Sequence, residues 1–189
     1  MKRWITTTFV AGAVVFGVAY LVCRVTGMLG MYNVPTNAMA PFVSKGDQVA
    51  AEGFSVRGRL PNRGDVITFT TEGIESPYMM ASEPQKYIKR VVGLPGDRLV
   101  FKAGQLHVND QPASALSGLT GIQYLPMGSL QDGKEVSVPP DHLFVMGDNS
   151  GNSADSRYWG PLPVRNVLQK YWFHYYRAPC SEAEPVPVR

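Results

Sequence analysis

The sequence predicts a mainly β protein: an antiparallel β-sheet domain with a small inserted β subdomain, behind one N-terminal transmembrane helix. Three observations predict it. Short runs rich in β-branched and aromatic residues recur along most of the chain. Nineteen glycines and 15 prolines among 189 residues separate those runs with turn signals. The amino-terminal stretch is different, because no residue between Arg3 and Arg24 is charged.

That stretch, Trp4 to Cys23, has about the twenty apolar residues a helix needs to cross a bilayer core. Its apolar residues surround the helix rather than forming one stripe, which disfavours a buried soluble helix. Lys2 and Arg3 favour a cytoplasmic amino terminus, so everything after Arg24 is expected on the outer face of the membrane. A cleaved secretory signal would start in the same way, but its apolar region is shorter and ends in small residues. This one ends in Val22-Cys23-Arg24, and a retained anchor over residues 1–24 is the preferred reading.

Met28 to Tyr32 is apolar with two glycines, and reads equally as a segment on the membrane surface or a strand entering the core. Strands are then expected at Asp47–Ala51, Asp65–Thr70, Tyr87–Val92, Arg98–Phe101, Gln105–Val108, His142–Met146 and Val167–Tyr175. Leu94-Pro95-Gly96-Asp97 and Val108-Asn109-Asp110-Gln111 read as turns, the second joining two short strands. Residues 25–97 and 141–177 are expected to form the main β domain, 98–140 the inserted subdomain, and 178–189 a flexible tail.

Composition narrows the function classes. A net charge of +3 from scattered basic residues argues against nucleic-acid binding. The three histidines lack ligand-like spacing, so no metal or other cofactor is expected. Cys23 lies in the expected span and Cys180 near the carboxyl end, a poor pair for a disulfide.

The chemistry is carried by segments in a fixed order. Pro35-Thr36-Asn37-Ala38-Met39-Ala40-Pro41 comes first, followed by Gly46-Asp47 and Arg63-Gly64-Asp65. Tyr87-Ile88-Lys89-Arg90-Val91-Val92-Gly93-Leu94-Pro95-Gly96-Asp97 comes next, and the run from Met146-Gly147-Asp148-Asn149 through Ser153, Asp155 and Arg157 to Gly160 comes last. Together they closely resemble type I signal peptidase, the serine–lysine membrane proteases, over nearly the whole chain after the anchor.

The resemblance implies a role for each position. Ala38 occupies the place of the nucleophilic serine, and Lys89 is the general base. Ser153 orients Lys89, and Thr36 with the backbone N–H of residue 38 forms the oxyanion hole. Asp155 and Arg157 pair to hold the loop, with Gly147, Asp148 and Asn149 as structural support. Pro35, Asn37 and Met39 contact substrate. A lysine base must be unusual, since an ordinary pKa near about 10.4 leaves it protonated, and burial among apolar neighbours is the means of lowering it. Oxyanion donors are worth about 3 to 4 kcal/mol each. What is missing is the attacking oxygen, and in another serine protease its loss costs about 10⁶ in turnover.

The resemblance therefore implies a peptidase of the extracytoplasmic face of the cell membrane whose partners are signal peptides and the bilayer, acting as a monomer, and inert in this form. Because Lys89, Ser153 and Thr36 remain in place, an engineered loss of the serine is favoured over a natural pseudoenzyme. Two other classes stay open: a protein that captures signal peptides without cutting, and a conjugative-transfer peptidase with few substrates. A self-cleaving transcriptional regulator is disfavoured by the apolar amino terminus.

Overall fold

The computed structural model describes residues 2–76 and 83–179, with side chains from Gly12 onward. Cys180 and most of the expected tail lie outside the described residues.

Helix α1 (Lys2–Val25) occupies the expected anchor. Its apolar side chains from Val14 to Val25 project outward, with Phe16 81% exposed. Among the described residues no helix is long and apolar enough to cross a membrane; the expected span begins at Trp4, whose side chain lies outside them. The helix stops at Gly27, which takes the left-handed conformation with φ 72°. There the Gly27 and Met28 amides donate to the carbonyls of Arg24 and Cys23, closing a Schellman motif.

The chain then enters a sheet through β1 (Leu29–Asn33), β2 (Gln48–Glu52), β3 (Val66–Thr70) and β4 (Lys86–Gly93). Next come β5 (Arg98–Lys102), β6 (Gln105–Val108), β7 (Gln111–Pro112) and β8 (Glu135–Ser137), followed by β9 (His142–Met146), the short helix α2 (Ser156–Trp159), β10 (Leu162–Pro163) and β11 (Val167–Tyr176). Among the described residues these form two sheets, β1-β2-β11-β3-β4-β9-β10 and β7-β6-β5-β8. Every strand pairing in them is antiparallel. The fold is therefore mainly β, as the sequence predicts, and the segment left open at Met28–Tyr32 is strand β1.

The alternation of side chains across β4 and β9 joins the cores. Val91, Leu143 and Val145 pack with Ile67, Phe69 and Leu162 on one face of the large sheet. Val92, Phe144 and Met146 point the other way and pack against Leu99, Phe101, Leu106 and Val108 of the second sheet. Where the two strands pair they are thus covered on both faces, which explains the apolar runs Val91-Val92 and Leu143–Met146. A third cluster of Val34, Met39, Val43, Val49 and Val66 sits under the loop between β1 and β2.

The amino-terminal helix is fastened to the sheet. Gln169 on β11 donates through Nε2 to the Gly27 carbonyl at 2.7 Å and accepts from the Tyr32 hydroxyl at 2.7 Å. The Gly53 amide donates to the Met28 carbonyl at 2.9 Å.

Candidate active site

Lys89 lies on β4, which pairs with β3 from Lys86 to Arg90 and with β9 only from Arg90 onward. Its side chain turns into a cavity of about 590 Å³ lined by Pro35, Thr36, Ala38, Tyr87, Ile88 and Ser153, among others. The lysine is 5% exposed. Among the described residues its ammonium makes no ion pair, and Nζ stands 5.5 Å from the centre of the Tyr87 ring. Burial pushes its pKa down to about 8. Asp155 opposes that fall, Arg157 adds to it, and Asp148 opposes it more weakly. At pH 7 about a tenth of this lysine is consequently the neutral amine, the state a base requires, and the share grows as pH rises through 8.

Position 38 faces the same cavity. It is held by a turn in which the Ala40 amide donates to the Asn37 carbonyl at 3.0 Å. The Asn149 amide donates to the Ala38 carbonyl at 3.1 Å, and Asn149 Nδ2 donates to the Asn37 carbonyl at 3.1 Å. Among the described residues, the Ala38 N–H and the exposed Thr36 hydroxyl meet no protein acceptor. The cavity thus offers two open donors close to a lysine amine.

Gly147 supports this arrangement by lacking a side chain. A Cβ there would overlap both the Ser153 hydroxyl and the Ala38 carbonyl, so only glycine lets the two segments meet. The adjacent Asp148 binds Arg90 with both oxygens, at 2.8 and 2.5 Å, and Arg90 Nη1 also donates to the Gly64 carbonyl at 2.7 Å.

Asp155 and Arg157 form a second ion pair at 2.7 Å, with both side chains fully enclosed. Asp155 caps α2 by accepting from the Arg157 amide, and its other oxygen accepts from the Gly147 amide at 3.1 Å. The Arg157 guanidinium also donates to the Ser150 hydroxyl and to the carbonyls of Ser150 and Leu125. Every polar atom of the pair is used, the condition under which buried charges are tolerated.

Two expectations need correction. Ser153 lines the cavity, but its hydroxyl is buried without a hydrogen-bond partner, so the expected bond to the lysine amine is not made. The hydroxyl is instead wedged against the Gly147 backbone. Met39, expected to touch substrate, is 1% exposed and packs into the core with Val34, Val43, Val49 and Val66. It follows residue 38 in a tight turn, so its side chain points inward while Ala38 faces the cavity. Asn37 is exposed, and its side-chain oxygen accepts from the Lys45 amide at 2.9 Å.

Tyr87, an apolar neighbour expected for the lysine, lines the cavity with its ring centre 5.5 Å from the amine. The sequence reading missed the role of Arg90, which anchors Asp148; it follows Lys89 on a strand, where successive side chains alternate in direction, and that was the available signal. Among the described residues no three of His, Cys, Asp and Glu are grouped to hold a metal ion.

Similarity to known proteins agrees with this geometry. Residues 1–176 match the family described as signal peptidase, peptidase S26. The chain is 34% identical over 146 residues to thylakoidal processing peptidase 1 of the Arabidopsis thaliana chloroplast, covering 76% of this chain and 41% of that protein. It is 35% identical over 136 residues to signal peptidase I of Leptolyngbya laminosa, covering 71% and 63%. A Staphylococcus aureus protein named inactive signal peptidase IA is 27% identical over 146 residues, covering 76% of each chain. A crystal structure of a signal peptidase I from Enterococcus faecalis V583 aligns with a TM-score of 0.41 and 26% identity, covering 59% of this chain and 97% of that one. The matched region thus spans between 41% and 63% of the first two of these relatives. With the family pattern matched across both sheets and every segment that lines the cavity, the chain belongs to the signal peptidase, peptidase S26 family.

Proposed function

We propose that this chain is the scaffold of a serine endopeptidase that removes signal peptides from exported preproteins at the outer face of the cell membrane, in a form lacking its nucleophile. The observation that carries this reading is Lys89: enclosed, unpaired among the described residues, with a pKa near 8, in one cavity with position 38. The exposed apolar surface of α1 supports a single membrane anchor.

Residues Lys86 to Lys89 have a paired neighbour on the β3 side alone, and their other edge opens into the cavity. An extended peptide adds there as a strand, hydrogen-bonding through its backbone and offering alternate side chains to the wall. With serine at position 38, Oγ attacks the scissile carbonyl carbon while its proton passes to neutral Lys89. The carbonyl oxygen becomes an oxyanion that accepts from the residue 38 N–H and the Thr36 hydroxyl. Collapse breaks the C–N bond, and protonated Lys89 returns its proton to the departing amine. Water, deprotonated by Lys89, then releases the acyl group and regenerates the serine. With alanine there, the first bond cannot form: the peptide binds and acylation fails.

The test is cleavage of a preprotein by Ala38→Ser, beside the double variant Ala38→Ser/Lys89→Ala. Cleavage by the first and not the second supports the reading. Peptide binding without cleavage by Ala38→Ser sinks the peptidase and leaves a capture protein. The similarity to an inactive signal peptidase IA favours a second reading, in which the alanine is natural and the chain holds signal peptides without cutting them. The codon for residue 38 in the source gene separates a natural alanine from an engineered one.

A further inference from the structure

A second and larger cavity, about 840 Å³, is lined by Asn149, whose amide bonds the Ala38 carbonyl, and by the residues that follow the Ala38 turn. Its floor is Ala40, Pro41 and Phe42, which continue the turn that carries Ala38, and Gly151 lines both cavities. Its far wall, from Gly118 to Leu125, belongs to the connection between β7 and β8. The segment inserted between Lys89 and Gly147 in sequence therefore returns to the site as the wall of a pocket. The mechanism above does not use this space.

We infer that this cavity holds the residues of the substrate immediately after the scissile bond, and that it favours an acidic side chain among them. The inference rests on the proposed peptidase reading, because that reading lays the segment before the bond along the β4 edge. A chain extended along that edge and across residue 38 has its continuation directed over Ala40 toward the second cavity.

The charge preference follows from which groups are already engaged. Arg90 and Asp148 neutralise each other in a two-point ion pair, and the Arg90 guanidinium also lies 4.8 Å from the centre of the Phe42 ring. Arg177, just past β11, lines the same cavity with an exposed guanidinium. One guanidinium nitrogen lies 3.4 Å from a His174 ring nitrogen, which leaves most of its donors for a carboxylate. Leu125, Ile122 and Phe42 supply apolar wall beside it. The pocket is thus suited to a short segment with one small or apolar residue and one carboxylate.

The experiment measures binding of fluorescent peptides to the full chain in detergent, without cleavage. One peptide ends at the scissile position, a second continues for four residues including an aspartate, and a third has lysine in place of that aspartate. The expected result is about ten-fold tighter binding of the aspartate peptide than of the truncated one, and about three- to five-fold tighter than of the lysine peptide. Arg177→Glu is expected to reverse the charge preference, and Thr120→Trp to remove the gain from extension, both leaving the truncated peptide unaffected. Thermal unfolding checks that each variant is folded. Equal affinities for all three peptides would overturn the inference while leaving the peptidase reading intact. Failure of every peptide to bind would overturn both.

Discussion

Asp155 and Arg157 stand two residues apart, both fully enclosed, and the Asp155 carboxylate binds the guanidinium with one oxygen at 2.8 Å and with the other at 2.7 Å. The pair also ties the β9 end, the 3₁₀ turn at Ser150 and the Leu125 segment together through the hydrogen bonds of the same two side chains.

Removing one partner leaves the other charge buried without compensation. Arg157→Met is expected to cost about 3–5 kcal/mol, read as a shift in the urea midpoint at constant m-value. Asp155→Asn keeps the shape and is expected to cost less, provided the amide still caps α2. An Arg157→Met variant as stable as the parent would show that the pair is not holding these segments.

Lys89 makes the protein's stability depend on pH. Its folded pKa, about 8, lies below the unfolded value of 10.5. Below pH 8 both states are protonated and the burial penalty is fully present, on the order of 3 kcal/mol. Between pH 8 and 10.5 the folded state has released the proton while the unfolded state still holds it, so stability rises with pH. Lys89→Met is expected to be more stable than the parent at pH 7, with the difference shrinking through that window. Urea unfolding at pH 7 and pH 10 checks it. In Ala38→Ser, kcat/KM should rise with pH along an acidic limb whose apparent pKa is near 8.

Gly147→Ala places a methyl group into the Ser153 hydroxyl and the Ala38 carbonyl. Both neighbours are fixed, one by burial and the other by the Asn149 amide. The expected cost is about 1–3 kcal/mol of stability. In the Ala38→Ser background, kcat is expected to fall further than KM changes, because residue 38 moves relative to Lys89. Unchanged kcat with reduced stability would make Gly147 a packing residue alone.

Met39→Ala removes a side chain that is part of the core beneath the loop. The expected loss is about 2–5 kcal/mol, with Met39→Leu nearly neutral. At a temperature where both variants are folded, peptide affinity should be unchanged. A selective loss of affinity at full stability would return Met39 to the substrate surface.

The fold was legible wherever burial on a strand is periodic or continuous. Leu143–Met146 is apolar on both faces, and Tyr87–Val92 is rich in β-branched and aromatic residues ahead of a Pro-Gly turn; they fall in β9 and β4. Glu135–Ser137 and Leu162–Pro163 are too short to carry a period, so β8 and β10 emerge only from their pairing with β5 and β9. The site residues named in sequence were brought together wherever a motif fixed them on one turn or strand, as with Ala38, Thr36 and Lys89. Met39 was misassigned because adjacency in a motif does not reveal which way a side chain leaves a turn. The second cavity left no trace in the sequence. Its walls come from segments more than a hundred residues apart, Phe42 and Asp148 among them.

The partial pairing of β4 has one more consequence. Lys89 faces the cavity and Arg90 faces its carboxylate partner because Val91 and Val92 are locked into the two opposite cores. A slip of one residue in that register would put Arg90 in the place of Val91, inside a core, and bring Ile88 to the amine's place. The strand is therefore a ruler: the same backbone that would grip a substrate along its open half measures, in its closed half, where the base must stand. Shortening or lengthening it by one residue would disable the site without touching any group that takes part in the chemistry.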